Sequence, residues 1–135
     1  MLQDDIIINK ISSINRCIER AKEEFCEDFL ENFSKQDAAI LNIVRACEQA
    51  IDLANHLVRK LDLGIPNETR DSFSFLNRAK IIDRNLAENL EKMVGFRNLV
   101  IHEYQRINIQ IVIDVINKRL PDLKNFCEII LKLNK

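Results

Sequence analysis

Residues 34–64 read SKQDAAILNIVRACEQAIDLANHLVRKLDLG, and their apolar spacing settles the fold class. Ile40, Val44, Cys47, Ile51, Ala54, Val58 and Leu61 alternate steps of four and three. That is the period of a seam along one side of an α-helix in a bundle. Ser34 is a suitable N-cap, because its hydroxyl can accept a hydrogen bond from an unpaired N–H of the first turn. Gly64, with Pro66 just behind it, marks the stop.

The same period extends in both directions. Upstream, Ile7, Ile11, Ile14, Ile18, Ala21 and Phe25 predict a helix from about Asp4 to Asn32. So short a connection to the next helix predicts antiparallel packing. Downstream, the pattern weakens over residues 67–80, where Asp71-Ser72-Phe73 can cap a short helix bearing Phe75 and Leu76. Asp83 caps a further helix through Leu86, Leu90 and Met93, and Asn108 caps the last, with Val112, Ile116, Leu123, Phe126 and Ile130 as its stripe. Pro121 lies inside that run and must kink the helix or begin a new one. A kink is favoured, because the apolar pattern resumes in phase. The expected fold is all-α, an antiparallel four- to five-helix bundle, with residues 1–135 as a single domain.

Composition agrees with long amphipathic helices. The 135 residues are 47% hydrophobic and 30% charged, with two glycines, two prolines and no tryptophan. A net charge of −1 removes any overall basic field that would advertise nucleic acid, although a local basic cleft remains possible. Cys17, Cys26, Cys47 and Cys127 form no CxxC pair and have no nearby histidine, so neither zinc nor a disulfide framework is expected. Cys17, Cys47 and Cys127 fall on or beside apolar stripes, and buried thiols in a reducing cytosol explain them better. Met1 leads straight into acidic residues with no signal peptide, and no apolar run approaches the ~20 residues a bilayer requires. The expectation is a soluble, cytoplasmic protein with no metal and no cofactor.

One stretch breaks these rules. Residues 93–104 read MVGFRNLVIHEY. The stripe Leu86, Leu90, Met93 steps next onto Arg97, a permanent cation where leucine is expected. Gly95, two residues earlier, costs about 1 kcal/mol relative to alanine in a helix. Two departures within one turn point to a site. Arg97, His102 and Tyr104 suit RNA cleavage without a metal. Histidine titrates near neutrality and can take the 2′-hydroxyl proton or supply one to the leaving 5′-oxygen. A guanidinium can hold the extra charge of the phosphorane, and a phenol can bond a phosphate oxygen or orient the imidazole. Asn98 is a weaker candidate for orienting RNA. On an unbroken helix, Arg97 and His102 point about 140° apart. Either the helix ends near Ile101, or a second copy completes the cleft. In the second case Gly95 would let two backbones approach closely.

Arg97-Asn-Leu-Val-Ile-His102-Glu-Tyr104 resembles the motif of HEPN-superfamily toxins of the HepT type: arginine, four residues, histidine, any residue, tyrosine. The 34–61 helix, the Gly-Ile-Pro turn at 64–66, Arg70-Asp71-Ser72-Phe73 and Met93-Val94-Gly95-Phe96 resemble the same family in the same order. The resemblance implies a HEPN-like homodimer formed through the motif region, acting as a metal-independent endoribonuclease toxin of a type VII toxin–antitoxin system. It implies Arg97 and His102 as the catalytic pair. It also implies an MntA-like nucleotidyltransferase antitoxin that inhibits the toxin by AMPylation of Tyr104, whose added phosphates would lie beside Arg97. The expected partners are an RNA substrate, that antitoxin and a second copy of the chain, with neither DNA nor membrane.

Plainer readings stand beside these. Arg97 can be a structural cation paired with a glutamate such as Glu48, His102 a favourable charge at a helix C-terminus, and Tyr104 a core ring with a wet hydroxyl. The chain would then be a non-catalytic helical dimerisation and binding module that docks a nucleotidyltransferase or a nucleotide. His56, with Asp52 one turn before it, is expected at the surface or facing a partner.

Overall fold

The computed structural model describes residues 4–134. The described helices are α1 (Asp5–Glu24), α2 (Phe33–Lys60), α3 (Asp71–Arg78), α4 (Arg84–Glu103), α5 (Ile109–Asp114) and α6 (Leu120–Leu133). Among the described residues there is no strand. Helix α2 is the spine, and α1, α3, α4 and α6 all pack against it. It buries more than one seam: Ile43, Ala46, Ala50, Leu53 and Leu57 are as inaccessible as Ile40, Cys47 and Val58. Each fully buried isoleucine, leucine or valine among them contributes about 1.5–3 kcal/mol.

Polar contacts fix the directions. Lys10 on α1 reaches Asp52 on α2 at 3.3 Å, and Asp4, the N-cap of α1, reaches Lys60 at 2.8 Å. The start of α1 therefore lies beside the end of α2, and the two are antiparallel as expected. Helices α2 and α4 are also antiparallel, with Glu48 opposite Arg97 and Asp37 opposite Tyr104.

The first helix is shorter than its period suggests, ending at Glu24 instead of near Asn32. Glu23 and Glu24 place negative charge at the negative end of the helix dipole. Phe25 turns out of the helix, and its ring packs edge-on against Phe29 at 5.1 Å. A 3-10 turn, Phe29–Glu31, then buries Phe29. The cap of α2 is Asn32 and not Ser34, its side-chain oxygen accepting from the Lys35 N–H at 3.1 Å.

At its other end α2 stops at Lys60, four residues before Gly64. Asp62 takes a left-handed φ of 54°, and the N–H groups of Asp62 and Leu63 bond back to the carbonyls of Arg59 and Val58. This Schellman closure satisfies the carbonyls before the glycine is reached. Gly64 has a different role. Its φ is 143°, and a Cβ there would lie 3.1 Å from the Phe75 ring.

Pro121 neither breaks the last helix nor leaves it regular. Helices α5 and α6 are joined by a π turn, Val115–Arg119, in which the Leu120 N–H reaches back five residues to the Val115 carbonyl. The widened turn stands directly before the ring, and Pro121 then occupies the first turn of α6. The predicted stripe is buried throughout, and Phe126 packs edge-on against Phe73 at 5.8 Å.

Cys17, Cys47 and Cys127 are buried, while Cys26 is exposed. Burial pushes the Cys47 and Cys127 thiols up to about 12. Among the described residues no helix is long and apolar enough to cross a membrane.

His56 is not free at the surface. Its Nε2 lies 2.6 Å from Asp4 Oδ2, and its side chain is 18% exposed. Asp4 also meets Lys60, and its backbone N–H donates to Asn134 Oδ1 at 3.0 Å. The Lys60 ammonium, and then the His56 ring, hold the Asp4 carboxyl well below the usual carboxylate range. This cluster clasps both ends of the described chain to the end of α2.

Candidate active site

Helix α4 carries the unusual stretch on two opposite sides. Arg97 lies in line with Leu86, Leu90 and Met93, and its side chain is 21% exposed. It leans across to α2, with Nε 3.3 Å from Glu48 Oε1 and Nη2 3.5 Å from Glu48 Oε2. Nη1 donates to Asn98 Oδ1 at 2.8 Å. Three of the five N–H bonds of the guanidinium are thereby engaged, and the plane of the fork is set by two neighbours. The Glu48 pairing foreseen for a structural arginine is present. Asn98 steadies Arg97 through its amide oxygen, which leaves its amide N–H bonds for other partners.

His102 is exposed in the last turn of α4, where a cation interacts favourably with the terminal carbonyls. The helix continues past it to Glu103, so of the two alternatives, a helix end that swings His102 round or completion by a second copy, the first is not seen. Within one chain, Arg97 and His102 stay about 140° apart around the helix. Ile101 lies on the arc between them and is 51% exposed. Gly95 shares the outward side with His102, and a Cβ there would meet nothing within 4 Å. Among the described residues no neighbour requires the glycine.

Tyr104 follows in a 3-10 turn, Tyr104–Arg106. Like Arg97, which reaches Glu48, it turns towards α2. Its hydroxyl donates to Asp37 Oδ1 on α2, and that hydrogen bond pushes the phenol up to about 12. The ring edges a hollow of about 310 Å³ floored by Ile40, Ile107, Ile109 and Val112, with the amides of Gln36 and Gln105 at its side. The fold thus brings Arg97, Asn98 and Tyr104 to the α2–α4 groove and leaves His102 outside it. Among the described residues no three His, Cys, Asp or Glu side chains gather as a metal site.

Asp37 was not foreseen from the sequence. One signal was available: Asp37 and Glu48 are eleven residues apart, which puts both acids within about 20° on one side of α2. Choosing them required knowing which side α4 covers.

A family model described as ribonuclease HepT-like matches residues 11–130. The mRNA nuclease HepT of Shewanella oneidensis is 45% identical over 129 residues, covering 94% of this chain and 97% of that protein. A tRNA nuclease HepT of Aphanizomenon flos-aquae is 26% identical over 106 residues, covering 76% and 72%. Among solved structures, the tri-AMPylated Shewanella oneidensis HEPN toxin in complex with its MNT antitoxin superposes with a TM-score of 0.91 at 44% identity, covering 96% of this chain and 98% of that one.

Proposed function

The chain belongs to the ribonuclease HepT-like family, and from that premise we propose that its RNA-cleaving site is built from Arg97 and His102 and completed across a two-fold pair of chains. One observation carries this reading: a half-buried guanidinium, its plane already set by Glu48 and Asn98, stands on the same helix as an openly exposed imidazole. The exposed apolar Ile101 separates them. A second copy pressed against Ile101 would bring the Arg97 side of one chain towards the His102 side of the other, and such a contact is self-complementary.

In that cleft, His102 takes the proton of the RNA 2′-hydroxyl, and the oxygen attacks the adjacent phosphorus. The P–O5′ bond breaks, the 5′-oxygen gains a proton, and a 2′,3′-cyclic phosphate remains. Arg97 stabilises the charge on the phosphorane with the N–H bonds that Glu48 and Asn98 leave over. No step calls on a metal ion. Asn98 orients Arg97 and offers its amide to the RNA.

Tyr104 is the acceptor for AMP from an MntA-like nucleotidyltransferase antitoxin. The antitoxin complex of the AMPylated Shewanella oneidensis relative supports this regulation. Phosphates at Tyr104 would stand on the Arg97 side of α4, where they compete with RNA for the guanidinium.

The test is cleavage of RNA by the purified protein in EDTA, beside Arg97→Ala and His102→Ala. Each substitution is expected to lower the rate about 10²–10⁴-fold with the fold intact, and the products should carry cyclic-phosphate ends. Wild-type rates in both variants would overturn the assignment.

A further inference from the structure

The α2–α4 groove holds an acid–phenol pair that the cleavage chemistry does not use. Tyr104 donates to Asp37 across a sequence separation of 67 residues, from the turn that follows α4 to the beginning of α2. Tyr104 remains 45% exposed, so a nucleotide held by another protein can reach its oxygen. Asp37 and Tyr104 are the two ionisable side chains among those lining the neighbouring hollow; the remainder are apolar or amide.

A phenol must lose its proton to attack the α-phosphorus of a nucleoside triphosphate. Resting beside a carboxylate makes a free phenolate harder to form, because two negative charges would then face one another. The same contact supplies a proton acceptor already in line when the new O–P bond forms. We propose that Asp37 is the catalytic base of the modification reaction on the acceptor side, taking the Tyr104 proton as the phenolic oxygen bonds to the α-phosphorus of ATP. The Tyr104 O–H bond and the Pα–O bond to pyrophosphate break, and the Tyr104 O–P bond forms. The proton passes to Asp37 and then to solvent, while pyrophosphate leaves with the electron pair. This rests on the reading of Tyr104 as the AMP acceptor, and extends it to a residue on another helix.

The test uses the full chain with an MntA-like nucleotidyltransferase that modifies the wild type, in ATP and magnesium. AMP addition is followed by intact mass in wild type, Tyr104→Phe, Asp37→Asn and Asp37→Ala. Asparagine can still accept the phenol hydrogen bond, but it cannot take the proton. Asp37→Asn is expected to slow AMP addition about 100-fold or more, as loss of a general base does. Its rate should also climb roughly tenfold per pH unit near neutrality, since the phenol must then ionise unaided, whereas the wild-type profile stays flatter. If Asp37→Asn matches wild type and only Asp37→Ala is slow, Asp37 merely positions the ring and the proposal fails. If Tyr104→Phe still gains the mass, the acceptor assignment falls as well, so the two failures are separable.

Discussion

The chain has two histidines, both on long helices, and the fold treats them in opposite ways. His56 is enclosed at one end of the bundle, 2.6 Å from Asp4, in a cluster where Lys60 and Asn134 occupy the remaining partners of the same residue. His102 stands exposed at the end of α4, close in sequence to a guanidinium with N–H bonds to spare. A polar cluster whose members bond chiefly to one another acts on folding. One with capacity left over, on a helix end that also exposes Ile101 and Tyr104, is available to a ligand.

The contrast breaks most readily through activity. His102→Ala is expected to reduce RNA cleavage about 10²–10⁴-fold with little change in Tm, and His56→Ala to lower Tm while cleavage by the folded fraction persists. Matched urea melts and cleavage rates separate the two. Equal effects of both substitutions on cleavage would erase the distinction.

A second measurement probes the groove itself. Tyr104 is the one tyrosine in a chain without tryptophan, so phenolate absorbance reports on it alone. It should titrate near 12 in the wild type, and Asp37→Asn should bring it back towards the ordinary value near 10. Because the folded value is raised, the stability contributed by this contact is complete below about pH 10 and lost as pH rises from there towards 12.

The clasp has the opposite sign. Asp4 is held below the usual carboxylate range, so its contribution is complete above about pH 4 and is lost as pH falls below that value. Urea midpoints of the wild type should therefore fall more steeply under acid than those of Asp4→Asn. Identical slopes would show that the clasp carries no linked stability.

The smallest effect tests the proposed dimer. Gly95 faces open space in a helix, so Gly95→Ala should stabilise an isolated chain by up to ~1 kcal/mol. If two α4 helices meet there, the added methyl should instead weaken the pair, seen as a higher dimer dissociation constant in sedimentation. Stabilisation with no effect on association would place the interface elsewhere.

The stripes of α1, α2, α4 and the last helix were legible because burial imposes a period on the sequence, and nearly every predicted seam position is inaccessible. Helix ends were less legible. Asn32 and Ser34 are equally plausible caps by type, and Asp62 closes α2 before the glycine that looked like its stop. Arg97 stood out as a charge on an apolar line, while Glu48 was one example among several glutamates that could pair with it. Asp37 could not be singled out, since it is one acid among twenty-one acidic residues.

The order of apolar residues along the chain therefore determined that it is helical and which side of each helix turns inward, because each helix must bury its own stripe. The register of α2 against α4, the enclosure of His56, the pairing of Tyr104 with Asp37 and the separation of Arg97 from His102 were decided only by tertiary packing. Those contacts depend on how far one helix slides along another, and no local pattern encodes that distance.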